Sequence, residues 1–302
     1  MILQRMRTRP RGIPTLPASR YSGSRINRIP DDRVPPPMSF YRPSVADVSR
    51  FREDGYVIVR HLLTPEEVDL LNRVARADKH LGETAYGRED AKGAVITLSV
   101  RNELTDDLYS AIARSRRIVS SMASFLNGEV YHYHHKLILK EPRVGGAWEW
   151  HQDYGYWYNN GCLLPDMGSC LIGIDRATQE NGCLQVLKGS HQIGRIEHLK
   201  TGDQTGADME RVNAALARFE LVYVEMQPGD AVLFHANLLH RSDQNHSDNP
   251  RWALIGSYNT RRNDPYKAGR HPGYTPTEIG PDEAVLTTGQ RQWDQLQLAM
   301  KG

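Results

Sequence analysis

The fold class that this sequence predicts is mainly β, a sandwich or jelly roll with flanking helices. The first observation is a series of short segments of strand length after Glu129, rich in apolar and β-branched residues. The second is that polar turn sequences, such as Gln179–Gly182 and Pro228–Asp230, separate those segments. Many short strands joined by polar turns are typical of packed antiparallel sheets. Helical patterns gather before Glu129, so we expect the helices to flank the sheets.

Composition limits the class of protein. The 302 residues suffice for one large domain or two ordinary ones, and 39% hydrophobic with 25% charged residues suits a globular protein with a sizeable core. A formal charge of +2 gives no argument for a nucleic-acid or membrane partner, and no apolar run approaches eighteen residues. Three cysteines without metal-like spacing indicate reduced thiols, so we expect a cytoplasmic location.

Residues 1–44 differ from the rest of the chain. They contain nine arginines, two acidic residues and many prolines, a composition that favours disorder because it offers little apolar surface to bury. Removing their charge of +7 from the total of +2 leaves about −5 on residues 45–302. A basic arm and an organelle transit peptide are alternatives. We favour a non-functional extension, because Met38 begins a stretch that leads directly into folded sequence.

Three helical segments and one short strand precede the main series of strands. Val45–Glu53 has the pattern of a short helix, followed by a strand over Gly55–Arg60. Thr64 is the expected N-cap of the next helix, with Pro65 at its first position and acidic residues in its first turn. A further helical stretch is expected over Asp106–Leu126.

The strand segments follow in order. Tyr131–Lys140 is a long strand whose histidines we interpret as sheet residues, and Trp148–Asp153 is a second strand. Residues 192–220 are an insertion with a helix over Asp208–Phe219. The other predicted strands are Cys170–Ile174, Cys183–Leu187, Leu221–Val224, Ala231–Phe234 and Trp252–Ile255.

A metal centre is suggested by His151, Asp153 and a later histidine. Residues two apart on a strand share a face, so His151 and Asp153 would point to the same side. One carboxylate and two imidazoles form the facial triad of non-haem Fe(II) oxygenases, with open positions for O2 and a co-substrate. His240 is the second imidazole of this reading, and the competing histidines are 191, 235 and 246. Arg251 could bind a carboxylate with its planar guanidinium.

These motifs together resemble the phytanoyl-CoA dioxygenase family, over about Gly55–Pro265. The resemblance is carried by His151-Gln152-Asp153, Glu180-Asn181-Gly182-Cys183-Leu184, Gly189-Ser190-His191, Pro228-Gly229-Asp230, His240-Arg241-Ser242 and Arg251. It implies a double-stranded β-helix, the cupin-like jelly roll, that uses Fe(II) and 2-oxoglutarate. Lys188 departs from the proline that many relatives have before Gly-Ser-His.

The resemblance also implies roles for single residues. His151, Asp153 and His240 would be the iron ligands, and the offset of Arg251 from His240 favours His240 over His235. Arg251 would anchor the distal carboxylate of 2-oxoglutarate, with the Ser242 hydroxyl beside it. Trp157, six residues after His151, would lie near the co-substrate, as in the ectoine hydroxylases of this family.

Six aromatic residues occur between Trp148 and Tyr158, a density that suits either a pocket mouth or core packing. We expect Trp148, Tyr154 and Tyr158 to line the mouth.

The sequence as a whole predicts an Fe(II)- and 2-oxoglutarate-dependent dioxygenase that uses O2 to hydroxylate an aliphatic C–H bond of a small molecule, releasing succinate and CO2. Asp153 argues against halogenation, which needs a vacant metal position. The alternatives are a cupin-type metal dioxygenase without 2-oxoglutarate and a non-catalytic jelly-roll binding module. Substrate identity, hydroxylation against desaturation, and oligomeric state stay open.

Overall fold

The computed structural model describes residues 40–201, 204–269 and 271–301. The expectations for residues 1–39 therefore lie outside the described residues. One compact unit begins at Phe40, and Phe40 lies against the guanidinium of Arg117, 4.7 Å from the ring centroid. None of the helices in the described ranges is long and apolar enough to cross a membrane.

The helices and strands, numbered in chain order, follow the predicted class. The helices are α1 Val45–Asp54, α2 Pro65–Ala77, α3 Lys79–Thr84, α4 Leu108–Ala113, α5 Arg116–Phe125, α6 Asp153–Trp157, α7 Met209–Leu216 and α8 Ala284–Lys301. The strands are β1 Tyr56–Val59, β2 Tyr86–Glu89, β3 Val95–Arg101, β4 Val130–Lys140, β5 Trp148–His151, β6 Met167–Gly173, β7 Leu184–Leu187, β8 His198–Thr201, β9 Gln204–Ala207, β10 Leu221–Val224, β11 Ala231–His235, β12 His240–Ser242 and β13 Arg251–Thr260.

Two antiparallel sheets form the jelly roll. The large sheet has the order β1-β11-β6-β13-β4-β3-β2, and the small sheet has the order β10-β7-β12-β5. Strands β8 and β9 form a separate hairpin. The fold class of mainly β with a double-stranded β-helix is confirmed.

Each face of the large sheet has its own core. On the outer face, residues such as Leu137 and Leu254 pack with α1, α2, α4, α5 and α8. On the inner face, residues such as Ile255 and Val232 pack against Val186 of the small sheet. The alternation of strand side chains separates the two cores, because neighbours along a strand point to opposite faces.

A bulge in β4 moves one histidine to the outer face. Ser257 pairs with His134 and the next residue, Tyr258, pairs with His132, so Tyr133 is left out of the ladder. His132 thereby shares a face with His135, and their Nε2 and Nδ1 atoms lie 3.0 Å apart. A regular strand would place residues three apart on opposite faces.

Several predicted elements have different bounds. The helix expected over Asp106–Leu126 is in fact two helices, α4 and α5. They are separated by Arg114, the C-cap of α4, and Ser115, the N-cap of α5. Asp153 is not in a strand: β5 ends at His151, and Asp153 is the first residue of α6. The hairpin β2–β3, the hairpin β8–β9 and helix α8 were not predicted. All three cysteines are free and buried, as expected.

Candidate metal and co-substrate site

His151, Asp153 and His240 converge at one end of the jelly roll, between the two sheets. Strands β5 and β12 are neighbours in the small sheet, and their ladder pairs His151 with His240. Gln152 has an extended backbone, so the strand leads into α6 with Asp153 on the same side as His151. Asp153 Oδ1 lies 3.7 Å from His151 Nε2 and 4.0 Å from His240 Nε2. All three residues are buried.

Backbone carbonyls orient both imidazoles. His151 Nδ1 donates to the carbonyl of Glu149 at 2.7 Å, and His240 Nδ1 donates to the carbonyl of Leu238 at 2.9 Å. These bonds assign the proton to Nδ1 and leave each Nε2 lone pair facing Asp153. Burial holds the pKa of His151 well below its usual range and lowers that of His240. Both rings are therefore neutral, the form that binds a metal.

The carboxylate of Asp153 is held by the large sheet. Ser169 Oγ on β6 donates to Asp153 Oδ2 at 3.1 Å and lies 3.0 Å from Ser257 Oγ on β13. One carboxylate oxygen is fixed in this way, and the other faces the two imidazoles. In the described parts of the chain, these three residues are the one group of His, Cys, Asp and Glu side chains close enough to hold a metal ion.

The rival histidines lie elsewhere. His235 ends β11 and His240 begins β12, so the expected single strand end is in fact two strands joined by a turn. The ring of His235 packs beside His191 and Phe51, on the helix side of the large sheet. His246 lies in the loop before β13, where its backbone N–H bonds the carbonyl of Glu180.

Two buried cations lie side by side farther along the inner face. Arg251 begins β13 and pairs in the ladder with Lys140, the last residue of β4. The guanidinium of Arg251 makes no hydrogen bond or ion pair with any residue that the structure describes, and its Nε is buried without a partner. Lys140 Nζ donates to the carbonyl of Asp243. Burial lowers the pKa of Arg251 to about 10, and burial, with Arg251 nearby, holds the pKa of Lys140 well below its usual range.

Such a pair of uncompensated buried cations fits an anion, because an unpaired buried charge is costly. Ser242 lies two residues beyond His240 on β12 and is also buried. Sequence reasoning missed Lys140. The sequence gives little indication that Lys140 is buried, since a lysine at a strand end is ordinarily exposed.

A cavity of 350 Å³ opens beside Asp153. Trp157 lines it, as do Trp148 and Tyr156. Tyr154 and Tyr158 do not line it: Tyr154 is buried and donates to the carbonyl of Leu163, and Tyr158 lies under the guanidinium of Arg195. The expectation for the pocket mouth is therefore confirmed for Trp148 and wrong for the two tyrosines.

The insertion 192–220 forms one wall of the cavity. Gln204 and Thr205 of its hairpin line the space, and the hydroxyl of Tyr156 donates to the Thr205 carbonyl. His198 Nε2 accepts from the backbone N–H of Gln152 at 3.0 Å. A Cβ at Gly155 would lie 2.0 Å from the His198 ring, so only glycine permits this contact. The hairpin thus packs directly on the helix that begins with Asp153.

Comparison with known proteins agrees with this site. Residues 51–253 match the family model described as phytanoyl-CoA dioxygenase (PhyH). The chain is 28% identical to the L-proline trans-4-hydroxylase of Streptomyces griseoviridis, over 78% of this chain and 93% of that protein. It is 25% identical to an ectoine dioxygenase of Nocardia farcinica, over 85% of this chain and 94% of that protein.

A solved structure supports the fold independently. EctD from S. alaskensis, crystallised with 2-oxoglutarate and 5-hydroxyectoine, superposes with a TM-score of 0.68 at 22% identity, covering 79% of this chain and 88% of that one. At this identity the likeness concerns the fold.

Jelly-roll fold, His-Asp-His group and family match define the class: a non-haem iron dioxygenase that depends on 2-oxoglutarate. The chain belongs to the phytanoyl-CoA dioxygenase family. Its cofactor is Fe(II), and its co-substrates are 2-oxoglutarate and O2.

Proposed function

We propose that His151, Asp153 and His240 hold the Fe(II) of a hydroxylase that acts on a small organic molecule. The observation that carries the proposal is the pair of Nδ1–carbonyl bonds, which aim two neutral Nε2 atoms at one carboxylate oxygen. Two imidazoles and one carboxylate suit Fe(II) and leave other positions open. When bound, Fe(II) with 2-oxoglutarate and O2 supplies the oxidation of a C–H bond to C–OH, with release of succinate and CO2.

We assign the distal carboxylate of 2-oxoglutarate to Arg251. Its buried guanidinium has no partner among the described residues, and a carboxylate accepts two parallel hydrogen bonds from such a group. Lys140 adds a second basic group beside it, and Ser242 adds a buried hydroxyl on β12 of the small sheet. We also propose that Trp157 lies near the co-substrate as a wall of the cavity beside Asp153, which it lines.

The substrate class follows from the size and walls of the cavity. A volume of 350 Å³ suits a molecule of amino-acid size and is small for a coenzyme A thioester. Rings of Trp148, Tyr156 and Trp157 exclude water from the bound substrate and fix its orientation. Relatives named for the hydroxylation of proline and the oxygenation of ectoine support a substrate of this size.

An anaerobic titration tests the metal and co-substrate assignments together. Metal-free protein is titrated with Fe(II) and then with 2-oxoglutarate, and the visible charge-transfer band of the chelate is followed. The band is expected to saturate at one equivalent of iron. In Arg251→Lys it is expected only at higher 2-oxoglutarate concentration. A protein that binds iron but gives no band would instead support a cupin-type dioxygenase without 2-oxoglutarate.

We also propose that residues 45–302 are the oxygenase domain, that the preceding extension is dispensable, and that the enzyme is cytoplasmic. A chain that begins at Met38 retains Phe40, which contacts Arg117, and is expected to keep the melting temperature and turnover of the full chain. A fall of several degrees on this truncation would assign a structural role to residues 1–37.

A further inference from the structure

The cavity has a polar wall on β4 that the proposed iron and 2-oxoglutarate sites do not use. His134 and Lys136 are two residues apart and point to the same inner face, and both line the cavity. His134 stacks on His271, with ring centroids 4.6 Å apart and an interplanar angle of 23°. The stack fixes the imidazole, whose Nδ1 is buried and has no hydrogen-bond partner among the described residues.

Lys136 brings an uncompensated positive charge to the same wall. Its Nζ lies 5.6 Å from the ring centroid of Trp148, and its ammonium makes no hydrogen bond or ion pair with the residues that the structure describes. Lys136 lines the same cavity as His134 and Asp153, so it belongs to the wall beside the metal group.

The balance of charge favours an anionic substrate. Lys136 lines the cavity without an acidic partner among the described residues, and Asp153 is the single acidic side chain among the described lining residues. Asp153 is already committed to the proposed metal group. An ammonium or other cationic group would therefore meet repulsion at Lys136, while a carboxylate would receive a charge-assisted hydrogen bond.

We propose that the substrate carries a carboxylate, which Lys136 binds, and that the fixed ring of His134 packs beside it. Bound in this way, the rest of the molecule lies along the aromatic wall toward Asp153, where the C–H bond is oxidised. This inference rests on the proposed function, and it adds the chemical class of the substrate and the two residues that recognise it.

The lysine is separate from the proposed 2-oxoglutarate anchor. Lys136 and Lys140 are four residues apart on β4, a distance of about 13 Å at ~3.3 Å per residue. Arg251 pairs with Lys140, at the far end of that interval. We therefore assign the two lysines to two different carboxylates.

Matched pairs of compounds test the charge requirement. Succinate formation is measured with L-proline, L-pipecolate and a panel of free amino acids, each beside its carboxamide. Carboxylates are expected to raise succinate formation above the substrate-free level, and each amide to be at least about tenfold weaker, since it lacks the charge. Equal stimulation by acids and amides, or stimulation by none of the carboxylates, would overturn the proposal.

Variants at Lys136 locate the carboxylate. Lys136→Met is expected to raise the half-saturating concentration of the best acid about ten- to hundredfold, the loss of one charge-assisted hydrogen bond. Lys136→Arg is expected to recover most of it, and Lys92→Met, at an exposed lysine outside the cavity, to change nothing. Quenching of tryptophan fluorescence, followed anaerobically, gives the same affinities without turnover, because Trp148 lies beside Lys136.

The same samples distinguish a failure of this inference from a failure of the proposed function. The charge-transfer band with 2-oxoglutarate reports the iron and co-substrate sites alone. If Lys136→Met weakens 2-oxoglutarate binding and leaves the acid's affinity intact, the lysine belongs to the co-substrate and the inference is wrong. If the wild-type protein gives no band at all, the proposed function itself fails.

Discussion

The two faces of strand β4 differ in what completes them. On the outer face, Leu137 and Leu139 pack into an apolar core with the helices, and all partners are supplied by the chain itself. On the inner face, His134, Lys136 and Lys140 bring polar groups into the space between the sheets. Among the described residues, the cavity-lining His134 and Lys136 and the unpaired guanidinium of Arg251 all lie on this inner face. We infer that the outer face is selected for stability, and that the inner face is selected for ligands.

The largest expected effect is the loss of turnover in His240→Ala. A facial triad cannot spare a ligand, so His240→Ala, His151→Ala and Asp153→Ala are each expected to abolish turnover and weaken Fe(II) binding. His235→Ala is the matched control, because its ring packs by Phe51 and His191 and away from the triad. Anaerobic iron titration of the variants checks this. Iron loss in the control, with retention in His240→Ala, would reverse the ligand assignment.

An outer-face deletion is expected to act on stability and leave ligands unaffected. Leu254→Ala removes a buried side chain from the helix-covered core and should lower the free energy of unfolding by about 2–5 kcal/mol. Urea unfolding measures the loss. The dissociation constant of 2-oxoglutarate for the folded variant is expected to stay within about twofold of wild type. A large change in that constant would show that the two faces are coupled.

A substitution at the proposed anchor on the inner face is expected to weaken 2-oxoglutarate binding and leave stability nearly unchanged. Arg251→Lys keeps the charge but loses the planar pair of donors, so 2-oxoglutarate binding should weaken about ten- to several-hundredfold. Thermal unfolding without ligand is expected to change little, because the guanidinium has no partner among the described residues. Unchanged 2-oxoglutarate affinity would remove the reason for assigning this anchor.

The smallest effect is a pH dependence of stability from the outer-face histidines. Burial lowers the pKa of His132 to about 3 and that of His135 to about 4. The unfolded chain, with imidazole pKa values near ~6.5, then binds protons first as the pH falls. Stability should decrease from about pH 6.5 downward, by up to about 2 kcal/mol for each ring at pH 5.

The control for this pH effect is the double variant His132→Asn with His135→Asn. Its melting temperature is expected to fall less steeply between pH 7 and pH 5 than that of the wild type. An equal slope in both proteins would assign the acid sensitivity to other groups.

The contrast between the faces also explains what could be predicted from the sequence. Local signals marked the Thr64 cap, the strand β4 and the spacing of His151 from Asp153, since each depends on neighbours in the chain. Assigning His240 and Arg251 needed the resemblance to a known family, because nothing local distinguishes His240 from His235.

The features that were missed depend on distant pairings. Lys140 is buried because β13 brings Arg251 beside it, and the hairpin of the insertion reaches the site through His198, Gln204 and Thr205. Strand β3 has apolar residues at every second position, Ile96, Leu98 and Val100, a periodicity of two that could have been used. The start of α6 at Asp153 was missed because a single extended residue, Gln152, separates strand from helix.

The three buried thiols affect how well the enzyme resists oxidation during turnover. Burial raises the pKa of Cys162 and Cys183 to about 11 and raises that of Cys170 further. At neutral pH all three are protonated, and oxidants attack the thiolate, not the thiol. A protein that uses O2 thus keeps its sulfur in the unreactive form. We expect its working lifetime under turnover to be set by damage to other side chains.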